Sequence, residues 1–157
     1  MKKIIAIAFC IFCVACKKGV ESNNYVLKAT LKTSSGTSFQ ANFLESETKF
    51  SKNVLAPANE VVVSGIKKNG EYSLTLVIQQ PKIGTNDLAN VPGWNGSNCG
   101  AQIPHFGTSY SSWGKGSGMI NIESLTDNTV KGTFSAICIG TSDTLRITEG
   151  SFNSKFN

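Results

Sequence analysis

The chain has 157 residues, of which 15 are basic and 10 acidic, so its formal net charge is +5. This length fits one domain with a core of its own. The basic residues are dispersed in runs no longer than two. The sequence therefore does not support a nucleic-acid-binding surface, and we expect no nucleic-acid partner.

The first 15 residues predict a cleaved signal peptide. Lys2 and Lys3 precede an uninterrupted apolar run over residues 4–15. A transmembrane helix needs about 20 apolar residues, so this shorter run is typical of a secretory leader. Cysteines at 10, 13 and 16 have iron–sulfur spacing, but cluster ligands project from a folded, polar-tolerant loop, and these lie in apolar sequence.

The leader ends in a motif with a known chemistry. The sequence Cys13-Val14-Ala15-Cys16 resembles the lipobox of bacterial lipoproteins, with Cys13 where leucine is usual. The resemblance implies that the leader is cut before Cys16 and that Cys16 is lipidated. Several acyl chains hold a protein on a membrane durably, whereas one does so only marginally. An ordinary signal peptide and an uncleaved anchor are the alternatives.

The residues after the lipobox predict a tether. Residues 16–24 are polar and lack periodicity, so we expect them to link the lipid anchor to a domain at 25–157. Lys17, in a position where aspartate would change sorting, resembles the signal for the outer membrane. We therefore predict a cell-envelope protein, anchored in the outer membrane through Cys16.

From residue 25 onward, apolar and polar residues alternate, as they do in half-buried strands. Ser34-Ser35-Gly36 predicts a turn, and Asn69-Gly70 favours a type I′ hairpin. Residues 44–57 fit a bent strand or a short helical turn, and residues 82–115 are predicted to be mostly loop, with short strands near 102–110. We predict further strands over residues 25–32, 38–43, 60–68, 71–80, 116–124, 129–139 and 145–156, with a bulge at Gly150.

This pattern predicts an all-β domain, a single antiparallel barrel or sandwich of about eight strands in a meander. The end of the chain combines an I-x-I strand, an acidic turn, Gly132-Thr133-Phe134 and a closing G-x-F at 150–152. These features, with a faint F-x-A-N match at 39–42, resemble the tail of small β-rich lipoproteins common in Bacteroidetes. The resemblance implies an all-β domain of unknown activity and transfers no catalytic residue.

Two cysteines lie in the predicted domain, Cys99 and Cys138. Export places such a pair in an oxidising compartment, which favours a disulfide. Two buried free thiols are the alternative. The alternation of its strand predicts that Cys138 points inward.

Catalytic and metal chemistry find little support in the sequence. His105 is the sole histidine, so a hydrolytic triad would have to use it with Asp87 or Asp127, and no G-x-S-x-G turn presents a serine. Zinc would need three or four converging ligands, and no calcium loop motif occurs. We therefore predict no catalytic residue, no metal site and no cofactor.

One aromatic-rich segment suggests a binding site. Trp94, His105, Tyr110 and Trp113 lie in the predicted loop region beside several amides, where they could stack on a sugar or another small ligand. Alternatively, the tryptophans close one end of the core. We predict a non-catalytic lipoprotein that binds a small molecule, a glycan or a protein, with a cell-envelope hydrolase using His105 as the alternative.

Overall fold

The computed structural model describes residues 24–53, 59–88, 97–103 and 108–156. These residues form 11 strands in one antiparallel sheet, which curves into a nearly closed barrel of 9 strands. The all-β prediction is confirmed. The strands are β1 (Tyr25–Thr33), β2 (Ser38–Leu44), β3 (Thr48–Asn53), β4 (Glu60–Ile66), β5 (Ser73–Gln79), β6 (Gly84–Asp87), β7 (Asn98–Ile103), β8 (Thr108–Ser111), β9 (Ser117–Leu125), β10 (Thr129–Ile139) and β11 (Thr144–Lys155).

The barrel is built around the pairing of its first and last strands. The strand order is β2-β1-β11-β10-β8-β7-β5-β4-β3, so β1 lies between β2 and β11. β2 and β3 are the two edges of this order, yet they follow each other in the chain through a 3-10 helix at Glu45–Glu47. One continuous segment therefore crosses the seam of the barrel.

Contacts across the seam hold its two sides together. The ring of Phe43 on β2 packs over Gly65 on β4, where an added Cβ would lie 2.6 Å from the ring. The Tyr72 hydroxyl accepts a hydrogen bond from the Asn42 N–H at 3.4 Å. The rings of Phe43 and Tyr72 meet edge to face, with centroids 5.3 Å apart.

The sheet divides along one edge of β10. Over most of its length β10 pairs with β9, and β9 in turn pairs with β6. Beyond that stretch, Ile139 of β10 pairs with Ser111 of β8. β10 therefore has two neighbours on this edge, β9 along most of its length and β8 at its end.

The inward-facing side chains form one continuous apolar core. On β10, Val130, Phe134, Ala136 and Cys138 are all buried, as the alternation of that strand predicts. Successive side chains of a strand point to opposite faces, so the residues between them face solvent. The core therefore occupies the inside of the barrel, and polar residues cover its wall.

Two local predictions need correction. The hairpin of β4 and β5 is present, but its turn is not type I′, because Gly70 has a φ of +71° and Asn69 does not have positive φ. Asn69 Oδ1 instead accepts the Glu71 N–H at 3.3 Å, which favours a longer loop. In the segment 82–115, the short strands predicted near 102–110 are present as β7 and β8, but β6 at Gly84–Asp87 was predicted to be loop.

The predicted bulge is confirmed on β11. The register of β10 with β11 shifts between Phe134 and Ala136, and that of β1 with β11 shifts at the same place. Glu149, next to Gly150, has a φ of +53°, which is uncommon for a residue with a side chain. The backbone of β11 therefore departs from regular pairing at this point.

Candidate functional site

A groove of about 440 Å³ lies on the outer wall of the barrel, over β1, β11, β10 and β9. Most of its side chains are polar and exposed, because they alternate with core positions on the four strands. We call it the outer groove. Its lining residues are Lys28, Met119, Asn121, Thr133, Phe134, Ser135, Glu149, Gly150 and Ser151.

One row of the outer groove is fixed by strand register. Lys28 pairs with Ser151, Ser151 pairs with Thr133, and Thr133 pairs with Asn121. Neighbouring strands lie about 4.8 Å apart, so these four side chains span about 14 Å. An ammonium, two hydroxyls and an amide thus stand in a line, offering donors and acceptors at regular intervals.

The bulge on β11 supplies the carboxylate of the groove. Glu149 Oε2 accepts a hydrogen bond from the Thr30 hydroxyl at 2.9 Å. Thr30 Oγ1 in turn accepts the Gln40 amide N–H at 2.8 Å. The left-handed backbone of Glu149 and this two-step network fix the carboxylate at the groove, and unusual backbone conformations of this kind cluster at functional sites.

A second depression of about 270 Å³ adjoins the outer groove and shares Ser135 with it. Its lining includes Arg146 and Thr148 of β11 and Ser117 of β9. Arg146 is paired in register with Lys32 of β1, so two cations lie side by side on this wall.

The predicted aromatic site is only partly within the described residues. Trp94 and His105 lie outside them, so their predicted roles, including that of His105 in a hydrolase, stay predictions. Tyr110 is 3% exposed and belongs to the core, whereas Trp113 is half exposed in the turn after β8. Tyr110 is therefore buried while Trp113 is partly open to solvent, and the binding role of both residues stays a prediction.

Tyr110 has a structural partner at the end of the barrel. Its hydroxyl donates to Asp143 Oδ2 at 3.4 Å. Burial raises the pKa of Tyr110, and the negative charge of Asp143 raises it further. Asp143 also accepts from the Ser34 hydroxyl and from the Thr144 N–H, and these hydrogen bonds lower its pKa. Asp143 thus links the turn before β11 to β8, through Tyr110, and to the turn after β1, through Ser34.

Cys99 and Cys138 are buried free thiols in the structure, so a disulfide between them stays a prediction. They lie on β7 and β10, which are not paired with each other. The Cys138 thiol donates to the Cys99 carbonyl at 3.4 Å. A hydrogen bond with the Cys138 thiol, together with burial, raises the pKa of Cys99, so neither observation points to a reactive thiolate.

Two further findings concern only the described part of the chain. Within residues 24–53, 59–88, 97–103 and 108–156, no three His, Cys, Asp or Glu side chains are grouped as metal ligands. The same residues contain no helix long and apolar enough to cross a membrane. Cys16 lies outside them, so its lipidation stays a prediction.

Sequence reasoning did not find the outer groove. Each lining residue could be predicted to face outward from the alternation of its own strand. Lys28 and Ser151 come from opposite ends of the chain, however, and their adjacency depends on the pairing of β1 with β11. The bulge beside Gly150 was the one local signal.

No protein-family model, curated protein or solved structure gives a significant match to the chain. The resemblance of the chain end to small β-rich lipoproteins therefore stays a prediction. Any function assigned to the protein must be argued from its own residues.

Proposed function

We propose that the protein is an exported lipoprotein whose barrel binds a hydroxyl-rich ligand, such as a glycan, in the outer groove. The groove itself carries the proposal. Its hydroxyls, amide, ammonium and carboxylate can both donate to and accept from the hydroxyl groups of a sugar. Met119, which is 55% exposed, adds an apolar surface for the carbon faces of the ring.

The size of the outer groove fits a ligand of a few sugar units. Its volume of about 440 Å³ lies in the range of small-molecule sites. The row from Lys28 to Asn121 extends across four strands, which suits an elongated molecule better than a compact one. The ligand lies on the wall of the barrel, because apolar side chains occupy the inside.

The proposed role is binding without turnover. Oriented hydroxyls and amides hold a sugar but do not transfer protons at neutral pH, and general acid–base catalysis of glycoside cleavage needs two facing carboxyl groups. Among the described residues that line the outer groove, Glu149 is the only carboxylate. This supports a binding protein rather than a glycosidase at this site.

A binding measurement tests the proposal. The full-length protein, purified in detergent, is applied to an array of neutral and charged oligosaccharides. We expect at least one class to bind and Thr133→Arg, which fills the groove, to abolish that binding. Thr75→Arg is the matched control, because Thr75 also faces outward in mid-strand but lies on β5. Equal effects of the two variants would refute the outer groove as the site.

The membrane anchor needs a separate test. We propose that Cys16 carries the lipid and that the tether at 16–24 holds the barrel at the outer membrane. Cells expressing the protein are fed labelled palmitate. The label should enter the wild type and Cys13→Ser but not Cys16→Ser. Absence of label from the wild type, or label retained in Cys16→Ser, would contradict the anchor.

A further inference from the structure

The outer wall of the barrel carries a pair of cations with no acidic partner among the described residues. Lys32 of β1 and Arg146 of β11 lie directly opposite each other in register. Both are exposed on the outer face. Like charges at directly opposite positions destabilise a sheet, so this arrangement costs the free protein stability.

Nearby carboxylates are engaged elsewhere. Glu149, on the same strand as Arg146, accepts from the Thr30 hydroxyl. Asp143, just before β11, accepts from the Ser34 hydroxyl and from the Thr144 N–H. In the part of the chain that the structure describes, neither Lys32 nor Arg146 belongs to an ion pair.

The cation pair lies beside hydroxyl groups that could complete an anion site. The depression lined by Arg146 also contains Thr148, Ser117 and Ser135. Ser135 belongs to the outer groove as well, so the two depressions are continuous. An anionic group at Lys32 and Arg146 can therefore be part of the same molecule that lies in the outer groove.

A third cation extends the pattern along β1. Lys28 lines the outer groove and faces the same side as Lys32, four residues away. Four residues of a strand span about 13 Å. Among the described residues Lys28 also has no ion-pair partner. Thr30 lies between Lys28 and Lys32 on the same face of β1 and offers a hydroxyl. Cations at this spacing match a chain of sugars that carries more than one acidic group.

We propose that the ligand is an acidic oligosaccharide, whose carboxylate or sulfate groups are bound by Lys32 with Arg146 and by Lys28. This inference rests on the proposed function, because it specifies the ligand of the same groove. Arginine pairs with carboxylate and sulfate oxygens in two-point geometry, and lysine adds a mobile point charge. The free energy lost to repulsion between Lys32 and Arg146 is recovered when the anion binds.

The test compares trigalacturonate with its full methyl ester, in which a methyl group on each carboxyl removes the charge. Binding to the full-length protein in detergent is measured by calorimetry. We expect trigalacturonate to bind about tenfold more tightly than the ester, because hydrogen bonds to charged groups are stronger. The double variant Lys32→Ala/Arg146→Ala should reduce this preference, and adding Lys28→Ala should remove it. Rising salt should weaken binding of the acid alone.

Lys49→Ala is the matched control, since Lys49 is exposed on β3, away from the groove. Equal affinity of the wild type for acid and ester, with Thr133→Arg still blocking both, would overturn this inference and leave the proposed function standing. Failure of both sugars to bind would overturn this inference, while the oligosaccharide array would still decide the proposed function. Binding of glycerol 3-phosphate, but not of trigalacturonate, would assign the cations to lipid headgroups and overturn the inference.

Discussion

Two phenylalanines and two glycines pack reciprocally across β10 and β11. Gly132 pairs with Phe152, and Phe134 pairs with Gly150. Each ring lies over the glycine of the opposite strand, so a Cβ added at either glycine would meet the ring at 2.6 Å. The glycine of each motif, G-T-F at 132–134 and G-S-F at 150–152, therefore leaves room for the phenylalanine ring of the other.

Because of this reciprocal packing, adding a single methyl group at Gly150 should destabilise the protein. We expect Gly150→Ala to lower the free energy of unfolding by about 1–3 kcal/mol, as overpacking does in other cores. Urea unfolding at equilibrium measures the change. Gly100→Ala is the control, since the nearest atom to its added Cβ is 3.7 Å away. A Gly150→Ala variant as stable as Gly100→Ala would contradict this account.

At the scale of elements, an ion pair connects the 3-10 helix at the seam of the barrel with the end of β4. Lys67 Nζ lies 2.8 Å from Glu47 Oε2, and the two side chains are only 23% and 13% exposed. The hydrogen bond from Lys67 lowers the pKa of Glu47, and burial opposes it. Burial lowers the pKa of Lys67, but the hydrogen bond with Glu47 and nearby negative charge raise it on balance.

These pKa directions predict how the seam responds to pH. We expect Glu47→Gln to lower the free energy of unfolding by about 1 kcal/mol at neutral pH. Because the pKa of Glu47 falls below 4.5 on folding, its contribution is present above that pH and is lost as the pH drops through the folded value. Denaturant unfolding of the wild type and of Glu47→Gln is measured from pH 3 to 8. The free energies of unfolding of the two proteins should converge as the pH falls. A constant difference would contradict the prediction.

Cys99 and Cys138 lie on β7 and β10, two strands that are not paired with each other. A disulfide there would tie β7 to β10 at the point where β8 and β9 diverge. We predict that thiol–disulfide exchange in an oxidising compartment forms it, with both thiols losing a hydrogen to an oxidising disulfide, and that it adds about 3–4 kcal/mol of stability. Mass spectrometry of denatured protein should find both cysteines protected from alkylation until reduction. Alkylation of both without reductant would show that they remain free.

Across the whole molecule, stability should be distributed unevenly. β11 pairs with both β1 and β10, whereas β6, of only four residues, pairs with β9 and with no other described strand. Short, exposed edge strands unfold locally at a low cost in free energy. Hydrogen exchange followed by mass spectrometry should therefore show fast exchange at Gly84–Asp87 and the slowest exchange in β10 and β11. Equal protection of both regions would contradict this distribution.

Strands with regular alternation, such as β1, β5 and β10, could be predicted from sequence because one face of each is buried. β6 could not, since Gly84-Thr85-Asn86-Asp87 contains no apolar residue, and its buried Asn86 is satisfied by the backbone carbonyls of Lys82 and Gly84. The outer groove was missed for a different reason. It depends on register between distant strands, and a one-residue shift there would replace every lining side chain by its neighbour.

Because apolar side chains fill the barrel, the ligand proposed for the outer groove would lie against the outer wall formed by β1, β11, β10 and β9. A single such contact forms quickly and breaks quickly. Many copies of the chain, confined to one membrane by the proposed anchor, would nevertheless retain a long polymer, since release requires all of its contacts to break at once. Avidity among many anchored copies, rather than the affinity of a single molecule, would then set how long the polymer stays bound.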